Sequence, residues 1–228
     1  MSTETLQGAR LAVRDMTLVS FIETIFEDTL EPWEIAICKR LESFKVQTGQ
    51  RLIIGVAEGD DPGRITVGFS LWLLSQSTDP TILLCTCNKA RSEQKVKSAL
   101  GMLSGSDLNT APFHINRTKT RFQEPLRSQG VGNGMAGLGF STLVLTDIYG
   151  TASESASATH NNRLMDWWRE TVMVRSYGFS NILIIDRLWH PDDFTGRLAA
   201  DRGWETIYYR RPVTTDRIAT MTPADPEN

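Results

Sequence analysis

The stretch Ile182–Leu198 reads ILIIDRLWHPDDFTGRL, and it decides the fold class. Four apolar, mostly branched residues run straight into the charged pair Asp186-Arg187. Trp189-His190-Pro191-Asp192-Asp193 then opens a helical segment. A buried parallel strand whose C-terminal tip turns polar has this pattern. In open α/β sheets that tip is where ligands bind.

Upstream of it, Met16–Glu27 predicts a helix, with a break at Glu31-Pro32. A second helix carries Leu30, Trp33, Ile37, Leu41 and Phe44 along one apolar stripe and ends at Gly49. Arg51–Ala57 (RLIIGVA) is a first strand, and Glu58–Gly63 (EGDDPG) is a tight polar loop. Ile65–Leu74 is apolar nearly all round, so this helix should be buried on most sides. Thr81–Cys87 is a second buried strand, and Asn88–Leu103 is an amphipathic helix rich in Lys and Arg.

The section from Gly105 to Gly139 predicts a short strand at Ala111–Ile115 and otherwise turns and loop. Ser141–Thr146 is a further strand ending at Asp147. Asn161–Tyr177 is helical, Asn181–Asp186 is a strand, Pro191–Ala200 is a helix, and Trp204–Tyr209 is a last strand. Strands alternating with helices predict an α/β fold: a mostly parallel sheet with helices on both faces and right-handed crossovers. The expectation is a single domain over residues 1–211 with a helical lead-in over 1–49. Pro212–Asn228 is Pro-broken and nearly free of apolar residues after Met221, which predicts a disordered tail.

Composition bounds the function. With 228 residues, 40% of them hydrophobic, the chain can bury one large core but has little room for a second. The formal net charge of -3 is not the basic balance of a free-standing nucleic-acid binder. It leaves room for DNA contact through a local patch or a ring of subunits. Three cysteines without framework spacing argue for a reducing compartment, with Cys85 and Cys87 as small buried fillers on one strand face. No apolar run approaches the roughly 20 residues that span a bilayer, and the N-terminus lacks a signal pattern. A soluble intracellular protein is expected.

A strand, a Gly-containing loop and a buried helix near the start of an α/β domain form the context of a phosphate-binding loop. That chemistry needs free backbone N–H groups, a Lys reaching the phosphates, and a Ser or Thr on Mg²⁺. Here Gly63-Arg64-Ile65 stands where Gly-Lys-Ser or Gly-Lys-Thr would be, with Thr66 one position on. Glu58, Asp60 and Asp61 crowd the loop, and each unpaired carboxylate near a phosphate is repulsive by roughly 1 to 4 kcal/mol. Arg64 can partly offset that charge, but a guanidinium fork is not a compact ammonium. Pro62 removes one N–H from the cradle. Two readings follow: a surface strand-to-helix turn, or a weak, altered nucleotide site at Gly63, Arg64 and Thr66.

Leu143-Val-Leu-Thr-Asp147 has the form of a Walker B strand, whose Asp positions Mg²⁺. Hydrolysis also wants an acid next to it to orient water, and the next residue is Ile148. Asp147 is therefore either a metal and nucleotide candidate or a turn former at a strand end. Gly132-Asn-Gly134-Met-Ala-Gly137 satisfies G-x-G-x-x-G literally, but it follows a polar stretch and precedes a strand, the wrong order for a dinucleotide fingerprint. Arg117, Lys119 and Arg121 would share one face of an extended segment, as a phosphate contact or as a solvated hairpin edge. His190 with Asp192 and Asp193 reads better as a helix start than as a metal site.

Taken in order, these pieces resemble the ATPase domain of a phage large terminase subunit, a P-loop NTPase-like fold. Members of that family often show a Trp/His-rich strand end followed by two Asp and a Gly-Arg-Leu. Trp189-His190-Pro191-Asp192-Asp193-Phe194-Thr195-Gly196-Arg197-Leu198 is similar to it. Arg163-Leu-Met-Asp166-Trp167-Trp168 with Arg175, the strand Leu143–Asp147 and the Gly-rich Gly132–Gly139 match as well, over roughly Leu18–Tyr209.

The resemblance implies a ring-forming homo-oligomer that uses ATP and Mg²⁺ to translocate double-stranded DNA. It would work with phage packaging or virion proteins in the host cytoplasm or on the virion. It also implies a following nuclease domain, which this chain is not expected to contain. The departures fall on charge-handling residues: Arg64-Ile65 for the Lys-Ser/Thr pair, Ile148 for the acid, and Leu138 where the family often has a basic residue. Weak or absent hydrolysis follows. The alternative is a catalytically inactive pseudo-ATPase serving as an interaction or structural component.

Overall fold

In the computed structural model, six strands among the described residues pair in the order β3-β2-β4-β5-β1-β6, every pairing parallel. They are β1 (Arg51–Val56), β2 (Ile82–Thr86), β3 (Leu126–Gly130), β4 (Thr142–Leu145), β5 (Asn181–Arg187) and β6 (Glu205–Tyr209). The helices are α1 (Leu18–Phe26), α2 (Pro32–Val46), α3 (Gly63–Gln76), α4 (Lys89–Gly105), the short α5 (Ala152–Ser155), α6 (Ala158–Trp167) and α7 (Phe194–Ala199). The structure describes residues 15–46, 48–57, 59–76, 81–105, 126–176, 178–187 and 189–209. Arg117, Lys119, Arg121, the strand expected at Ala111–Ile115, Glu58 and the tail expected from Pro212 lie outside the described residues.

Why the sheet is double-sided follows from the period of two along each strand. Leu52, Ile54, Val56, Leu183 and Ile185 join a core with α1, α2 and α3. Ile53, Ile182, Ile184, Leu143 and Leu145 join a second core with α6 and α7. Both faces are covered, so the central strands are apolar throughout. The expected α/β, P-loop-like single domain is what the chain forms, with its sheet parallel throughout. No helix among the described residues is long and apolar enough to cross a membrane.

The crossovers position the site. From β1 the chain passes through α3 on one face to β2; from β5 it passes through α7 on the other face to β6, on the far side of β1. Neighbouring β1 and β5 therefore send their connections in opposite directions. Their C-terminal tips thus form a topological switch point, where α/β sheets are expected to receive ligands in a crevice.

Three local features differ from the sequence expectation. Leu126–Gly130 is an edge strand rather than loop, with Leu126 opposite Ile82 and Gly130 opposite Thr86. Its residues, LRSQG, carry little strand propensity; the ladder to β2 and the burial of Leu126 decide the matter. The Gly-rich stretch thus does follow a strand, although it leads into β4 and not into a helix. The helix expected from Asn161 begins at Ala158, capped by Ser157, and widens to a π-turn over Trp168–Val172. There Trp168 packs against Phe194 and Trp204 with ring centroids 5.9 and 5.6 Å away. Finally, Cys87 lies beyond the end of β2 and is only half-buried, so it does not share the buried face of Cys85.

Candidate functional site

The loop between β1 and α3 is held by its own polar groups. Asp60 N–H donates to the Ala57 carbonyl at 3.2 Å, and the Asp60 residue is buried. Asp61 Oδ1 accepts the Gly63 N–H at 2.9 Å, capping the N-terminus of α3. The Thr66 hydroxyl is fully buried and donates back to the Pro62 carbonyl at 2.8 Å, one turn earlier.

Arg64 turns toward α2. Its guanidinium forms a two-pronged contact with Glu34, through Nε and the second terminal nitrogen, and bonds Asp28 at 2.7 Å. Glu34 is only 1% exposed, so this is a pair whose acid is taken from water. These hydrogen bonds, Glu34 first, raise the affinity of Arg64 for its proton even further. Beside this pair lies an open cleft of about 320 Å³, lined by Glu31, Trp33, Glu34, Asp60, Asp61 and Arg64. Its carboxylates outnumber its single cation.

Asp147 stands past the end of β4 with φ +46°, in the left-handed region that few non-glycine residues adopt. Its carbonyl accepts the Cys87 N–H at 2.8 Å, tying the tips of β4 and β2. Its carboxylate is met from α4: Lys95 Nζ lies 3.0 Å from Oδ2 and Arg91 Nε 3.6 Å. Lys95 also reaches the start of α3. A Cβ built on Gly63 would lie 3.3 Å from Lys95 Nζ and 2.9 Å from Asp61 Oδ1.

Behind Asp147, the tip of β5 contributes Asp186, 3% exposed. Its two oxygens accept the N–H groups of Ile148 and Arg187, each at 2.8 Å. Burial pushes its pKa up to about 7; the two N–H bonds oppose the shift, while the negative charges of Asp147 and Asp193 add to it. The backbone after Asp147 is thereby locked to β5.

The Trp189–Leu198 segment is built for packing. Asp193 is the N-cap of α7, accepting the Gly196 N–H at 2.7 Å and the His190 N–H at 3.2 Å. Gly196 passes so close to Pro191 that a Cβ would sit 2.1 Å from its carbonyl oxygen. The Tyr149 hydroxyl accepts the Phe194 N–H and donates to Asn161 Oδ1, both at 2.7 Å. Arg197 bridges the Asp192 carbonyl and Asn162 Oδ1. Among the described residues no group of three His, Cys, Asp or Glu side chains is arranged to hold a metal. The Gly-rich loop is pinned likewise: Trp167 Nε1 donates to the Asn133 carbonyl at 2.8 Å and Gln129 Nε2 to Gly134 at 2.9 Å.

Of the residues singled out from sequence, Gly63 and Asp147 meet around Lys95, whereas Arg64 and Thr66 are engaged elsewhere. Lys95, Arg91 and Asp186 were not singled out. Lys95 and Arg91 sit in an amphipathic helix where cations read as a solvated face, and Asp186 reads as the polar end of a strand. Only their i, i+4 spacing on α4 hinted that Arg91 and Lys95 share a target. No family model and no curated protein matches the chain.

A Mg-nucleotide is the group the terminase resemblance implies for this crevice. The residues present do not fit it as arranged: the loop cation, the hydroxyl, the first helical N–H and the strand-end acid each have a partner within the chain.

Proposed function

We propose that this chain is a terminase-like pseudo-ATPase, an interaction component of a phage packaging complex or particle that does not turn over ATP. The ordered motifs from the Leu143–Asp147 strand to Gly196-Arg197-Leu198 support the ancestry. One observation carries the loss of chemistry: Arg64, at the position of the phosphate lysine, is bound to Glu34 and Asp28. Moving it back would strand Glu34 as an unpaired buried charge, which is strongly unfavourable. The preserved scaffold then serves as a docking platform for packaging or virion proteins.

The test is steady-state phosphate release from Mg-ATP by the purified chain, with and without double-stranded DNA. Background-level release under both conditions is expected. Turnover of about 1 per second, the low end of ordinary enzymes, would overturn the proposal. A weakly hydrolysing packaging ATPase is the second reading, favoured by one feature: the Lys95 ammonium beside Gly63 at the start of α3.

A further inference from the structure

Arg127 is a buried cation, 6% exposed, on the edge strand β3. Its neighbour Leu126 joins the core that holds Val96 and Met102 of α4. Arg127 therefore lies on the opposite face, beside its register partner Leu83. On that face the strand is tied to the Gly-rich loop. A terminal nitrogen of Arg127 donates to the Gly139 carbonyl, and Gln129 Nε2 donates to that of Gly134. Gln129 is engaged at both ends, since its side-chain oxygen accepts the Gly130 N–H. Arg127 is not: its Nε is buried and has no acceptor.

A guanidinium does not lose its proton in a protein, so it cannot escape burial by discharging. The usual answer is a carboxylate held by two parallel bonds, and this chain gives Arg64 that partner in Glu34. Arg127 meets no carboxylate among the described residues. Burial loosens its hold on the proton, and no neighbouring negative charge opposes that shift. A buried cation with a single carbonyl partner is unfavourable and lacks its anion.

We infer that Arg127 is an oxyanion-binding site beneath the Gly-rich loop, which takes the carboxylate or phosphate group of a small ligand. The planar fork, with its orphan Nε–H, matches either group. The covering loop is not closely packed, as nothing lies within 4 Å of a Cβ built on Gly132 or Gly134. β2 and β4 separate β3 from the β5–β1 switch point, so the site is distinct from the one described above and independent of the pseudo-ATPase reading.

Thermal unfolding of the full chain tests this, in phosphate, acetate and chloride at matched pH and ionic strength, for wild type and Arg127→Met. At least one oxyanion should raise the wild-type midpoint over chloride by about 2 °C or more, because a ligand of the folded state stabilises it by mass action. A rise in phosphate alone assigns the site to a phosphorylated ligand; a rise in acetate assigns it to a carboxylate. Arg127→Met should show no rise in either salt. Equal wild-type midpoints in all three salts overturn the inference, as does a rise that survives in Arg127→Met. Should the variant not fold, the Nε–H resonance of Arg127 in the unmodified chain is followed by NMR as each oxyanion is added. A saturable shift is expected, and a resonance that moves with neither anion overturns the inference.

Discussion

Lys95 Nζ lies 3.0 Å from Asp147 Oδ2, although the two residues come from different elements, α4 and the end of β4. Their side chains are 19% and 11% exposed, so the pair is only partly screened by water. Because Asp147 holds a left-handed backbone, the interaction also helps to fix a conformation that is strained for a non-glycine residue. In a double-mutant cycle with Lys95→Met and Asp147→Asn, urea unfolding should report a coupling of about 1 to 2 kcal/mol. Additive single effects would mean the contact is incidental.

Arg64 should matter for stability. Arg64→Ala leaves Glu34 in the protein interior without its two-pronged partner, at an expected cost of about 3 kcal/mol. Arg64→Lys should recover only part of this, since one ammonium cannot reproduce the fork on Glu34. Chemical denaturation of the three proteins decides the point; an Arg64→Ala variant as stable as wild type would refute it.

Gly196 has no room for a side chain. Gly196→Ala would place Cβ 2.1 Å from the Pro191 oxygen and 2.7 Å from its carbonyl carbon, both backbone atoms that cannot swing away. The turn into α7 must then shift, at about 3 kcal/mol or more. Gly134→Ala is the control: nothing lies within 4 Å of its Cβ position, and thermal unfolding should change by less than about 0.5 kcal/mol.

Asp186 makes stability fall with rising pH. Its pKa is about 7 in the folded chain against 3.8 for an ordinary aspartate, so the folded state binds the proton more tightly. Below pH 4 both states are protonated and there is no penalty. Between about 4 and 7 the unfolded chain loses its proton first, and stability drops until the folded group ionises as well. At roughly 1.4 kcal/mol per unit, the drop is at most about 4 kcal/mol. Asp193, raised in the same direction by burial, adds to it. Urea midpoints from pH 4.5 to 8 should decline in wild type and decline less in Asp186→Asn; parallel curves would exclude Asp186 as the cause.

How much of this was legible beforehand differs between scaffold and site. Apolar runs at Leu52–Val56, Leu83–Cys85, Leu143–Leu145 and Ile182–Ile185 made the buried parallel strands plain, because a strand covered on both faces must be apolar throughout. The Asp193 cap was equally local, its bonds spanning only three residues. β3 was not legible, since LRSQG becomes a strand only by pairing with β2.

Sequence by itself determined the fold class, the alternation of elements and the absence of a Lys-Ser/Thr pair after Gly63. Those features depend on hydrophobic period and residue identity, which act over a few neighbouring residues. Tertiary structure alone decided that Arg64 is bound to Glu34, 30 positions earlier, and that Lys95 reaches both Asp147 and Gly63. The physical reason is range. A charged side chain on a helix reads the same in sequence whether it meets water or a partner, and only packing of α2, α3 and α4 around the tips of β1 and β4 chooses between them.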